Sequence, residues 1–225
     1  MAGDLASQYS SLVEEFVESA GTYNGYNRAK YYSMLDFDLT GKSLLDIGCG
    51  DGYDLDMFRR RGAVVHGIDA SSEMVRRARV RVPSGQVSQG LMEDIPYRSS
   101  AFDFVVSKYA VQASVDVPGV LTEMDRVLRP GGMLAYLAVH PLRQFLEKRK
   151  HPKDYFIQEV VDSVFFEGRL SVREPTHTLN EYLSPWFFTH YDLLHFEECP
   201  DFPSSERVDG DTYPCFFMVK ARKRL

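Results

Sequence analysis

Two carboxylates and three glycines carry the chemistry that this sequence offers first. Asp46, Gly48, Gly50 and Gly52 alternate through Leu44-Leu45-Asp46-Ile47-Gly48-Cys49-Gly50-Asp51-Gly52, and Asp69 follows 21 positions after Gly48. Glycine lets a backbone turn sharply and lets a ligand approach main-chain N–H groups. A carboxylate at the end of the next apolar run can accept hydrogen bonds from both hydroxyls of a ribose. Together they point to a nucleoside-type ligand. Turns that cradle a pyrophosphate are spaced Gly-x-Gly-x-x-Gly, and this one is not. An anionic Asp46 would repel a pyrophosphate and receive an ammonium group. An adenosine joined without phosphate to an ammonium-bearing amino-acid tail suits both ends, and S-adenosylmethionine has that constitution.

These residues need strands and helices to position them. Residues 43–47 and 63–68 are short apolar runs, with a helical pattern over 53–61 between them. Ser71 is a suitable N-cap for a helix marked by Met74, Val75 and Ala78. Further strands are predicted over 86–89, 102–107 and 133–139, with a helix over 117–128 and a turn at Arg129-Pro-Gly-Gly132. Strands of this length separated by helices indicate parallel βαβ units. Their continuous apolar character indicates a sheet covered on both faces. Helical patterns over 4–20 and 27–38 precede this region. After Pro141 the pattern loosens: helices over 142–150, 152–161 and 178–188, a hairpin or strand over 164–172, and strands over 192–197 and 215–221.

Composition removes other classes. The 225 residues suit one domain with an inserted cap, and the net charge of −6 argues against nucleic acid as a partner. No apolar run approaches the ~20 residues of a membrane span. The amino terminus lacks the basic flank and apolar block of a signal peptide. Three cysteines without Cys-x-x-Cys spacing give neither a disulfide framework nor a zinc cluster. No metal is expected, and a cytoplasmic, reducing location is. The oligomeric state is left open.

Four blocks, in order, carry a family resemblance. They are Leu44–Gly52, Gly67-Ile68-Asp69-Ala70-Ser71, Glu93-Asp94-Ile95-Pro96 with Ser100-Ala101-Phe102-Asp103, and Glu123-Met-Asp-Arg-Val-Leu-Arg-Pro-Gly-Gly132. With these the sequence resembles class I S-adenosylmethionine-dependent methyltransferases, especially the small-molecule group related to ubiquinone and menaquinone biosynthesis. The resemblance is strong over roughly residues 40–140 and weak in the flanks. It implies an α/β, Rossmann-like, seven-stranded, mostly parallel sheet with an antiparallel last strand. The single domain would comprise an N-terminal helical cover (1–40), a cofactor-binding core (41–140), a cap and substrate region (141–190) and the last strands (191–225). By the same resemblance, Gly48, Cys49 and Gly50 would line the methionine moiety, and Asp69 would hold the ribose. Ala70, Met74, Glu93, Asp94 and Ile95 would surround the adenine. Ser107 and Lys108 would lie beside the transfer point, and Tyr23 and Tyr31 would cover the cofactor.

Methyl transfer is an in-line displacement at a sulfonium methyl, so the protein chiefly supplies alignment and a dry site. An acceptor oxygen or nitrogen can also need a base. Of the six histidines, His177, ahead of a predicted helix, and His140, after the fifth strand, are the candidates. Tyr109 follows the fourth strand and is a candidate to orient the acceptor. The Asn/Asp-Pro-Pro-aromatic block of base- and glutamine-methylating enzymes is replaced by Ser107-Lys-Tyr-Ala110, which lowers support for nucleic-acid methylation. Trp186-Phe-Phe-Thr-His-Tyr191 replaces the Ala-Gly-Phe step usual before the sixth strand. The aromatic residues concentrate in the flanks: residues 1–40 and 155–196 hold 17 of the 29, against 8 in 41–154. That distribution predicts an aromatic-rich lid, including Trp186 or its neighbours, over a small hydrophobic or aromatic acceptor. The alternatives are a cofactor-binding protein without transfer activity and a macromolecule (protein or RNA) methyltransferase; an NAD-linked oxidoreductase is disfavoured by the glycine spacing and Asp46.

Overall fold

Leu44 and Leu45 show how the sheet is built. In strand β1 (Ser43–Ile47) successive side chains point to opposite faces, yet both leucines are fully buried. Leu44 packs with Leu55, Phe58, Val75 and Ala78 from helices α3 (Tyr53–Arg60) and α4 (Ser72–Arg81). Leu45 packs with Val120, Leu121 and Met124 of α5 (Val117–Val127) on the other face. The computed structural model describes Gln8 and residues 11–23, 25–149, 151–165, 169–200 and 213–225.

Strands β2 (Val64–Asp69), β3 (Gln86–Gln89), β4 (Phe102–Lys108) and β5 (Leu128–Val139) pair in parallel with β1 or with one another. Strand β9 (Phe216–Lys223) runs antiparallel to both β5 and β8 (Tyr191–Cys199). The order is β3-β2-β1-β4-β5-β9-β8. The Arg129–Gly132 turn is absorbed into β5 as an irregularity, between Leu128 opposite Phe102 and Met133 opposite Phe104. Ser71 caps α4 as expected, its Oγ accepting from Met74 N at 3.3 Å.

Before the sheet, α1 (Val13–Tyr23) and α2 (Gly25–Met34) are followed by a segment whose Leu35 and Leu39 enter the core. Phe37 stacks on Phe104 with centroids 4.7 Å apart.

Residues 141–190 depart from sequence expectation in two places. Residues 152–161 do not form a helix: an irregular stretch leads into β6 (Val160–Phe165), which pairs antiparallel with β7 (Leu170–Pro175). The buried ammonium of Lys148, just after α6 (Pro141–Glu147), donates to the carbonyls of Asp154 and Ile157 and wraps that stretch around itself. The helix expected over 178–188 is two short helices, α7 (Leu179–Tyr182) and α8 (Pro185–His190). Ser184 caps the second and Pro185 opens it, since proline lacks the N–H needed to continue a helix.

Candidate active site

The three glycines of the turn do different work. All are at positive φ, between 53° and 80°. A Cβ on Gly48 would stand 2.2 Å from the Ala110 Cβ, and one on Gly52 would stand 2.9 Å from the Ala78 Cα. These two glycines let the loop after β4 and helix α4 come close. A Cβ on Gly50 would meet nothing within 4 Å, so this glycine keeps a space open above the turn.

The N–H groups are already committed. Gly48 N and Cys49 N donate to the Ile68 carbonyl at 2.9 and 3.0 Å. Gly50 N donates to Asp69 Oδ2 at 2.9 Å, while Ser71 N donates to Asp69 Oδ1 at 2.9 Å. A pyrophosphate would find none of these three turn N–H groups unpaired. Each Asp69 oxygen retains a second lone pair for a ligand hydroxyl. Burial pushes the Asp69 carboxyl up, and the two N–H groups pull it back.

Asp46 is buried at the end of β1. Its carboxyl is pushed well up by burial and by the neighbouring Asp54 and Asp69 charges, against Lys108. Lys108 pairs with Asp54, which also accepts from the Tyr32 hydroxyl. Tyr31 is buried and donates to the Ser107 carbonyl at 3.3 Å, and Ser107 Oγ donates to the Ile47 carbonyl at 2.9 Å. An ammonium group suits this acidic corner. The donor set and the open Gly50 face thus fit S-adenosylmethionine. The Tyr23 side chain lies outside the described residues.

Ala70 and the buried Met74 follow Asp69 at the start of α4. The loop of Glu93, Asp94 and Ile95 is held by α5. Glu123 of α5 accepts from Ile95 N at 2.9 Å, and Arg126 donates to the carbonyls of Ile95 and Tyr97. Ile95 N is therefore engaged with protein. Ser114 Oγ donates to Glu93 at 2.5 Å, while Asp94 is exposed. The Glu-x-x-Arg spacing in the fourth sequence block is the trace of this clamp.

The catalytic candidates separate. Tyr109 sits at φ 56°, and its hydroxyl accepts from Asn27 Nδ2 at 2.8 Å. His140 differs from expectation: it caps α6, its Nδ1 accepting from Leu142 N at 3.0 Å and its Nε2 facing Glu198 at 2.8 Å. Both nitrogens are used, and burial pushes the ring's pKa down against the pull of Glu198. His177 also differs from the expected base. Its side chain is inaccessible, with Nδ1 2.8 Å from Glu181 and Nε2 3.0 Å from the Gln112 carbonyl. Both ring nitrogens are thus engaged within the protein. Gln112 Nε2 in turn donates to the Tyr109 carbonyl at 2.9 Å and to the Glu174 carboxylate at 3.4 Å. Sequence reasoning missed Glu174: on β7 it is one acid among many. Burial is the main cause raising its carboxyl to about 7; Glu147 adds to it, and Gln112, Arg143 and Ser163 oppose it.

Trp186 also lies away from its expected place. Tyr191 at the start of β8 pairs with Lys223, beside Arg222 and Met133 at the amino-terminal end of β5. Trp186 stacks there on His190, at the end of the sheet opposite the glycine turn. Tyr182, Phe187 and Tyr191 are fully buried in the core, so much of the flank's aromatic content is packing.

A glycine turn after β1 and a carboxylate after β2, at the carboxyl edge of this doubly wound sheet, define a nucleoside-cofactor domain. Residues 45–136 match the "Methyltransferase domain" family. The chain is 34% identical over 135 residues to malonyl-acyl-carrier-protein O-methyltransferase of Salmonella typhimurium, covering 55% of this chain and 54% of that protein. It spans about half the length of the curated relatives it matches. An S-adenosylmethionine-dependent methyltransferase from Mesorhizobium loti superposes with a TM-score of 0.71 at 22% identity, covering 91% of this chain and 99% of that one. The cyclase SpnF superposes with a TM-score of 0.71 at 17% identity, covering 100% of this chain and 97% of that one. Residues 45–136 thus match a methyltransferase domain, and the fold is shared with S-adenosylmethionine-dependent methyltransferases of known structure. No described helix is long and apolar enough to cross a membrane, and no metal-holding cluster occurs among the described residues.

Proposed function

We propose that this chain transfers the methyl group of S-adenosylmethionine to a small-molecule acceptor held under the cap. The observation that carries this reading is Asp69, braced by Gly50 N and Ser71 N beside the open face of Gly50. The cofactor, when bound, supplies a methyl group on a cationic sulfur. Asp69 accepts the ribose hydroxyls, and Asp46 receives the ammonium. Met74 and Ile95 bound the adenine. Tyr109, held by Asn27, orients the acceptor at the carboxyl end of β4.

The finer reading concerns the acceptor atom. The curated relative from Salmonella is named as an O-methyltransferase acting on malonyl-acyl-carrier protein. A carboxylate oxygen needs no base, being deprotonated at neutral pH. That suits a site whose two candidate histidines have both ring nitrogens engaged. We therefore favour a small acceptor with an apolar body and a carboxylate. Incubation with a metabolite extract and labelled cofactor, read by mass spectrometry, tests it: a base-labile methyl ester is expected. A base-stable N-methyl product would overturn the choice of atom. Binding without any turnover would favour the second reading, a cofactor-binding protein with other chemistry, which the likeness in fold to a named cyclase keeps in view. Asp69→Ala should weaken cofactor binding roughly tenfold or more, through loss of charge-assisted hydrogen bonds. Unchanged calorimetric affinity would sink the ribose assignment.

A further inference from the structure

A basic run, Lys148-Arg149-Lys150-His151-Pro152-Lys153, leads directly into Asp154-Tyr155-Phe156-Ile157. That stretch is fixed from inside. Lys148 Nζ donates to the Asp154 and Ile157 carbonyls, Phe156 N donates to Asp154 Oδ1 at 2.8 Å, and the Tyr155 hydroxyl accepts from Leu179 N at 2.8 Å. Gln158 Nε2 donates to the Val115 carbonyl at 3.1 Å, which ties the stretch to the loop after β4. Phe156 and Ile157 are nonetheless 83% and 58% exposed. Val160 and Val164 extend this apolar surface along the outer face of β6, with Asp162 between them. On the same face β7 presents Ser171 and Arg173, and Arg169 stands just before it, all three exposed. Arg149 reaches Asp162 at 3.4 Å while remaining largely in solvent.

Four large apolar side chains exposed between residues 156 and 164, on a backbone that holds them there, form a patch rather than scattered residues. Its surroundings are cationic. Arg149, His151, Arg169 and Arg173 are exposed around it, and its acids Asp162 and Asp154 are engaged by Arg149 and by Phe156 N. The chain as a whole carries −6. An anionic layer would therefore repel the molecule elsewhere and turn this face towards itself. Aromatic and aliphatic side chains beside arginine and lysine suit the boundary between lipid headgroups and acyl chains. An acidic protein surface would satisfy the arginines but not the apolar side chains, whereas a lipid surface takes both. We propose that this face docks the protein onto an anionic lipid surface, with Phe156 and Ile157 seated at the headgroup–acyl boundary. The contact brings the loop after β4 towards the bilayer, where apolar acceptors concentrate, and it does not depend on which acceptor is methylated.

Cosedimentation with vesicles tests the docking on the whole chain without turnover. Wild type should pellet with vesicles of phosphatidylcholine and phosphatidylglycerol in equal parts, and roughly fivefold less or weaker with phosphatidylcholine alone. Added salt should release it. Phe156→Ser combined with Ile157→Ser should lower binding to the mixed vesicles roughly tenfold or more. Arg149→Glu and Arg173→Glu should each lower it roughly five- to tenfold. All four residues are exposed, so melting midpoints should stay close to wild type. Should the double serine variant melt early, the two arginine variants read the same face. Leu194→Ser, at an exposed leucine of β8, should leave binding within about twofold. With Trp186→Phe in place, Phe156→Trp supplies the single tryptophan, whose emission should shift to the blue on the mixed vesicles. An unmoved emission on vesicles that bind the protein would overturn the seating of residue 156. Equal binding to both vesicles, or an equal loss in the Leu194 variant, would overturn the assignment of this face. No pelleting with either vesicle would overturn the proposal outright; self-association lost in the double serine variant would then make the face an interface between copies. None of these outcomes bears on the cofactor reading.

Discussion

The glycine-turn end of the sheet and the polar cluster joining Gln112 to the segment after β7 are built on different plans. At the turn, backbone shape does the positioning: three left-handed glycines, N–H groups returned to the Ile68 carbonyl, and one carboxylate bracing its own and the neighbouring loop. In the polar cluster, buried polar side chains do it. Gln112 reaches Glu174 across 62 positions of sequence, and His177 reaches the Gln112 carbonyl across 65. The first region is vulnerable to added atoms. The second is vulnerable to changes of charge state.

The sharpest way to break the comparison is to add a single methyl group within the turn. Gly48→Ala places a Cβ against Ala110 at a left-handed φ. Overpacking and the left-handed penalty together should cost roughly 3–5 kcal/mol in urea denaturation. Gly50→Ala bears only the conformational penalty, about 1–2 kcal/mol. It should instead lower cofactor affinity roughly tenfold or more, by filling the space a ligand needs. Equal stability losses in the two variants would refute the division of labour between these glycines.

The next largest effect lies in the polar cluster and depends on pH. Glutamate ordinarily titrates near 4.5, and Glu174 is raised to about 7. Below pH 4.5 the carboxyl is protonated in both folded and unfolded chains and costs nothing. Between 4.5 and 7 the folded protein holds the proton more tightly, so stability from this residue falls as pH rises. Above 7 the full cost of a buried charge remains, an upper bound of ~3 kcal/mol. The facing groups are Gln112, Ser163, Arg143 and Glu147, and Tyr182 feels the Glu174 charge in turn. Glu174→Gln should match wild type near pH 5 and exceed it in denaturation midpoint at pH 8. Parallel pH–stability curves for the two proteins would remove Glu174 as the cause.

Legibility in the sequence follows the same divide. Strands 43–47 and 86–89 were readable to the residue, and the cap at Ser71 with them, because apolar runs and capping side chains are local signals. The final strands were placed within two residues: β9 buries its apolar positions, whereas β8 leaves Leu193 and Leu194 exposed. Around the site, Asp69 and the glycines were legible because turn geometry demands them. The use made of the glycines was not, for only packing shows that Gly48 and Gly52 are crowded and Gly50 is open. The helical pattern over 152–161 lost to the carbonyl demands of one buried lysine. The partners of Glu174, His177 and His140 were not legible because they lie on other elements, at separations that no local pattern encodes.

The smallest expected effect separates packing from function among the aromatic residues. Trp186 stacks on His190 with centroids 4.3 Å apart, and its ring also approaches Tyr191. Register puts this group at the amino-terminal end of β5 and β8, whereas an acceptor would sit at the carboxyl ends of β4 and β5. Trp186→Phe shortens the ring without removing it, so a loss of about 1 kcal/mol is expected from reduced packing. Once an acceptor is in hand, its KM and kcat should stay within about twofold of wild type. Tyr109→Phe is the contrasting variant, since it removes a hydroxyl that Asn27 holds at the end of β4. There stability should change by no more than about 1.5 kcal/mol while acceptor kinetics shift more strongly. A Trp186→Phe variant that raised the acceptor KM severalfold at unchanged stability would move the acceptor to the other end of the sheet. It would also restore the aromatic wall that the composition of the flanks suggests.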